Sequence, residues 1–164
     1  MLLLLFCLID FAVPLYYRLV MVNISREGSN LAARGPGSTQ NDAVQNALDG
    51  VMAASSPLLI MGKSTDIGQG RIYISAVVHN NGSVYTVTAQ STTGGLTTAY
   101  FPSKFRNGLG TFTGKVPTTT PVQIPAANRT LYITEVYYQY RPPAPLGRMV
   151  SFLVNTQLYD VAYF

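Results

Sequence analysis

The sequence predicts an α+β fold: a long apolar N-terminal helix and a short second helix packed on an antiparallel β-sheet of about four strands. Three observations predict it. Residues 1–22 are apolar apart from Asp10, Arg18 and the hydroxyls of Tyr16 and Tyr17. Ala43, Val44, Ala47, Leu48, Val51 and Met52 then fall at helical spacing. From Arg71 onward the period changes to two, with turn residues between the alternating runs. Helices first and strands afterwards is the order of an α+β domain.

The first helix is expected over residues 1–34. A bilayer core needs about 20 residues of helix, so its apolar part is long enough to span. The continuation, "VNISREGSNLAARG", has helix formers, with Ile24, Leu31 and Ala32 available to pack on a domain, and Gly35-Pro36-Gly37 ends it. Pro14 predicts a kink or an unbonded carbonyl near Asp10, four residues back. No basic n-region precedes the apolar run and no small-x-small cleavage site closely follows it, so it lacks the form of a cleaved secretory signal. Arg18, Arg26 and Arg34 all follow the apolar core, which by the positive-inside rule would hold the C-terminal domain in the cytoplasm. A basic leader preceding Met1 would reverse that orientation.

Charged groups inside a membrane helix are costly and usually paired. Asp10 and Arg18 stand about 12 Å apart along the axis, too far to pair within one helix. Two parallel copies shifted by that step would set Asp10 of one level with Arg18 of the other, and Asp10 could also meet the amine of Met1 on a shifted neighbour. The competing reading, of equal weight on the helix alone, has Arg18 snorkelling to the interface and Asp10 facing water or protonated.

The second helix follows a loop, with Thr39 or Asn41 as its cap and Pro57 beyond its end. "RIYISAVV" and "VYTVTAQ" alternate on either side of a turn at Asn81-Gly82, a hairpin signal. Residues 91–130 form a long Gly-, Thr- and Pro-rich loop with anchors at Phe101, Phe105 and Phe112; a loop of that length is usually functional or contact-forming. "LYITEVYYQYRP" is a strong β run, and "VSFLVNTQLYDVAYF" supplies one strand or two. The organisation is therefore residues 1–34 as a transmembrane or filament-core helix and residues 35–164 as a globular head.

Composition excludes several classes. Charged residues are 11% against 48% hydrophobic, and the basic residues are scattered singly, so no phosphate-tracking stripe for nucleic acid exists. Low charge suits a subunit that buries its sides against copies of itself. The lone Cys7 forms no internal disulfide and no metal site, and reads as a small apolar residue facing lipid or another helix. His79 is the only histidine and reads as an exposed residue flanking a turn, with no carboxylate or nucleophile arranged around it. "GQG" at 68–70 and "GLG" at 108–110 lack a strand-loop-helix context and read as turns. No catalytic, cofactor or metal site is expected. Glu135 is conspicuous inside a β run: it reads as a solvent-facing strand position or as a salt bridge to a neighbouring subunit. Tyr137, Tyr138 and Tyr140 read as sheet packing. Sequons at Asn23, Asn81 and Asn128 are explained by chance.

The order of pieces resembles the TadE-like pilin family of tight-adherence, Flp-type systems. The resemblance rests on an apolar helix followed by Asp10-Phe11, on Asn23, Arg26-Glu27-Gly28 and Ala33-Arg34, and on the hairpin "GQGRIYISAVVHNNGSVYTVTAQ". The strand "YITEVYYQYRP" and the terminal "TQLYDVAYF" extend it over nearly the whole chain. It implies a pilin-like subunit whose basic leader is removed by a prepilin peptidase. It also implies a subunit held in the bacterial inner membrane and extracted by an assembly motor into an extracellular filament made of copies of itself. The acid stands at Asp10, whereas type IV pilins usually carry Glu at the fifth mature position, here Leu5. Arg26, Glu27 and Glu135 are then candidate intersubunit contacts. A second reading is a minor pseudopilin or a membrane-anchored binding or adhesion module that never forms the bulk filament.

Overall fold

The computed structural model describes residues 2–35, 39–55, 58, 60, 68–80, 84–111, 129–140 and 157–164. Two helices, α1 (Leu2–Arg34) and α2 (Gln40–Ala54), lie on one face of an antiparallel sheet. Its strands are β1 (Gly68–Asn80), β2 (Val84–Gly94), β3 (Gly110–Thr111), β4 (Thr130–Tyr140) and β5 (Gln157–Tyr163), in the spatial order β3-β2-β1-β4-β5. The α+β class is as expected. The sheet has five strands rather than four because β3 is a two-residue edge too short to leave a periodic signal.

Each element follows from its residues. Thr39 caps α2: its hydroxyl accepts from the Asp42 N–H at 3.2 Å, and the Asp42 carboxylate accepts in return from the Thr39 N–H at 3.2 Å. Ala43, Val44, Ala47, Leu48 and Val51 form the buried face of α2. The strands alternate between two cores. Ile72, Ile74, Ala76, Val136, Tyr138 and Tyr140 face the helices. Tyr73, Val77, Leu131, Ile133 and Tyr137 face the other way, under Leu96 and Phe105. Both sheet faces are thus covered, one by helices and one by residues 95–109.

The β1–β2 hairpin pairs Asn80 with Val84, as the Asn-Gly signal predicts; the turn itself lies outside the described residues. A register shift at Ala76/Val77 leaves Thr88 unpaired in β2, and its hydroxyl donates to Gln40 at the start of α2. Gly68 to Gly70 opens β1 rather than forming the expected turn, with Gly70 so close to Ile60 and the Tyr137 carbonyl that a Cβ would sit 2.6 Å and 2.9 Å from them. Gly108, in a bend, and Gly110, which opens β3 where the expectation had a turn, both have positive φ, +81° and +122°, a conformation that favours glycine. The expectations for Phe112, Asn81, Asn128 and Pro57 fall outside the described residues.

Candidate functional site

The α1 helix is continuous through Pro14 and long and apolar enough to cross a membrane. It has two apolar sides with different fates. The inner side packs on the head. Met21, Ile24 and Ala32 are buried there, with Val13, Tyr17, Val20 and Leu31 partly so. Small residues let this side come close. A Cβ on Gly28 would sit 2.9 Å from the Thr134 side chain. The Ser29 hydroxyl donates to the Ala162 carbonyl at 3.0 Å, and the Ser25 hydroxyl donates to the Asp160 carboxylate. Both anchor α1 to β5.

Asp10 belongs to this inner side. It is only 8% exposed, so it does not face water. Tyr17, two helical turns further on, packs edge-on against Tyr138 and Tyr140, at ring centroid distances of 5.2 Å and 5.8 Å. The Tyr140 hydroxyl has no hydrogen-bond partner among the described residues. Burial first, and then the Asp10 charge, push its pKa up to about 12. The acid of the apolar helix therefore faces its own head.

The outer side is bare. Leu4, Leu5, Leu8, Phe11, Leu15, Tyr16 and Leu19 are all exposed, Phe11 at 71%. Leu4, Leu8, Phe11 and Leu15 recur at steps of four, three and four, the spacing of a seam between two helices. Arg18 and Cys7 are exposed as well. The structure does not bring Asp10 and Arg18 to one environment: the acid is under the head, and the base is outside. Arg26 and Glu27 are exposed beside an open groove of about 520 Å³ between α1 and α2.

Glu135 is the second notable group. It is 1% exposed, which overturns the solvent-facing reading. It projects from β4 on the face away from the helices, between Tyr73 of β1 and Val161 of β5. Its carboxylate accepts from the Lys104 N–H at 2.9 Å, the Tyr159 hydroxyl at 3.0 Å and the Ser103 hydroxyl. Tyr137 donates to the Pro102 carbonyl and Tyr73 to the Phe101 carbonyl, both at 2.8 Å. The Lys104 ammonium lies 3.5 Å from the centre of the Tyr159 ring. Burial raises the Glu135 pKa despite these donors, and burial raises those of Tyr137 and Tyr159, with the Glu135 charge adding to both. Each of these donors belongs to the same chain. Glu135 pins residues 101–104 to the sheet, and no salt bridge to another subunit is needed to satisfy it.

Two arginines complete the pinning. Arg71 donates to the Leu96 and Gly94 carbonyls and to the Thr92 hydroxyl. Arg106 donates to the Leu109 and Thr111 carbonyls, each at 2.9 Å. Reading the sequence missed Arg71, Arg106, Ser103, Ser25 and Asp160 in these roles. Only Gly28 beside two serines gave a local signal, that of a helix face built for close approach. His79, half-buried, stacks on Tyr85 across the hairpin at 4.7 Å.

In comparisons with known proteins, no family model, no curated protein and no solved structure matches this chain.

Proposed function

We propose that this chain is the structural subunit of an extracellular, type IV pilus-like filament that polymerises through α1. The observation that carries this reading is the bare outer stripe of Leu4, Leu8, Phe11, Leu15 and Leu19 on a helix long enough to cross a bilayer. An exposed apolar stripe of that length needs lipid or another helix. Its heptad-like spacing suits a helix. The inner side is already occupied by the chain's own head, so heads point outward and stripes inward when copies gather. The resemblance of residues 7–35 and 68–90 to TadE-like pilins supports the same reading. On it, the subunit waits in the bacterial inner membrane, a prepilin peptidase removes a leader, and assembly machinery moves the subunit into the filament.

Burying the stripes against one another gains about 25 cal/mol per Å² of apolar surface relative to water. Relative to lipid the gain is much smaller, because lipid already covers them. Extraction therefore needs work from a partner machine.

The test is Phe11→Ala combined with Leu15→Ala. Both side chains are exposed in the single chain, so head folding and membrane association are expected to persist while sedimentable filament is lost. Undiminished filament would contradict the reading. Loss of neither, with the wild-type chain found only in membranes, would favour the minor-subunit or anchored-module alternative.

A further inference from the structure

We propose that α1 has two seats, docked on its own head and released from it, and that entry into a bilayer selects the released one. The proposal rests on reading residues 2–22 as the membrane span. In the docked seat, Asp10, Val13, Tyr17 and Val20 lie against the head, and Tyr17 covers Tyr138 and Tyr140 at the end of β4. At the rise of an α-helix, Asp10 stands about 12 Å from Leu2 and about 18 Å from Val22. A hydrocarbon core is about 30 Å thick, so a helix spanning with residues 2–22 carries Asp10 near its middle.

The end of β4 would travel with it. A strand end cannot sit in lipid, because its backbone groups would lose hydrogen bonds that only water or protein supplies. The docked seat and the full span therefore exclude each other. On insertion the head must move off residues 10–20, uncovering Tyr138 and Tyr140. The helix is easiest to bend between Asn23 and Ser29, where Asn23, Ser25, Gly28 and Ser29 are weak helix formers. On leaving the bilayer, the same residues regain a seat on the head. Docking then gives the inner side of α1 an apolar cover at the moment lipid is withdrawn.

The experiment uses the full chain carrying Cys7→Ser and Tyr140→Cys, reconstituted into phosphatidylethanolamine–phosphatidylglycerol vesicles, and a membrane-impermeant maleimide. Insertion is checked by resistance to carbonate extraction, and heads facing inward are identified by labelling after lysis. The reference is the same chain with Leu4→Glu, Leu8→Glu and Leu15→Glu, three exposed positions that no longer favour lipid. Residue 140 is expected to label about tenfold faster or more in vesicles than in the reference. Equal, slow labelling of inserted protein overturns the proposal and places α1 along the membrane surface with the head docked. Hydroxyl-radical footprinting of the native Tyr138 and Tyr140 in the same two settings reads the result without altering the core, in case Tyr140→Cys disturbs folding. A chain that fails to insert sinks both the span and the switch. Filament yield is not read, so losing the filament reading leaves this result standing.

Discussion

At the scale of the residue, the buried acid Glu135 fixes Ser103 and Lys104 to the sheet. Its folded pKa is raised by burial, above the usual carboxylate value of about 4.3. The sign follows directly. Below that value both folded and unfolded chains hold the proton, and stability is at its full level. As pH rises through the window between the unfolded and the raised folded value, the unfolded state ionises first, and stability falls. Glu135→Gln removes this fall while keeping an acceptor toward Lys104 and Tyr159. Urea midpoints of wild type and Glu135→Gln, measured from pH 4 to pH 8 in mild detergent, are expected to diverge, with wild type relatively weaker at the higher pH. Parallel curves would contradict the assignment. Glu135→Ala instead strands buried donors and is expected to cost about 2–3 kcal/mol at the low end of that range, and less as pH rises and the wild type weakens.

At the scale of the element, α1 is a helix with a close-packed inner stripe and a bare outer one. Gly28→Ala improves helix propensity by about 1 kcal/mol in isolation. Here the added Cβ meets the Thr134 side chain at 2.9 Å, with Thr134 fully buried beneath it. The expected net result is a loss of about 1–2 kcal/mol by urea unfolding, larger for Gly28→Val. A stabilised Gly28→Ala would show that α1 does not sit this close to β4. The elements themselves were legible wherever one period dominates. The apolar run, the 3.6-residue spacing of Ala43 to Val51 and the alternation of Ile72, Ile74 and Ala76 leave little choice of structure. What stayed hidden was set by contacts distant in sequence. Residues 95–109 carry no period, and their folded path depends on Arg71, Gln90 and Glu135, which no local pattern connects to them. The two-residue β3 exists only because β2 lies beside it.

At the scale of the whole molecule, a head with both sheet faces covered is joined to a helix whose outer side is uncovered. The candidate site was half legible. The apolar helix, with Asp10 and Arg18 set within it, could be read from composition alone. Which side of the helix meets the head could not: spacing alone puts Asp10, Val13 and Tyr17 on one face, but only the folded head shows that this face, and not that of Leu4, Leu8, Phe11 and Leu15, is the covered one. A pairing of Asp10 with Arg18 of a neighbouring copy now requires Asp10 to leave the vicinity of Tyr140. If that pairing forms in the filament, Asp10→Arg combined with Arg18→Asp should assemble better than Arg18→Asp alone; no rescue, as judged by filament yield, would show that the two are not partners. Asp10→Ala is expected to leave membrane insertion intact, since removing a charge from the span lowers the cost of burying it in lipid.

Whether copies of this chain build a filament through α1 can be read by shearing expressing cells without detergent. The material pelleted at high speed would be examined by negative-stain microscopy and identified by mass spectrometry. Thin filaments composed chiefly of this chain are expected. Recovery of the chain only from detergent-solubilised membranes, with no filament containing it, would show that α1 does not polymerise it.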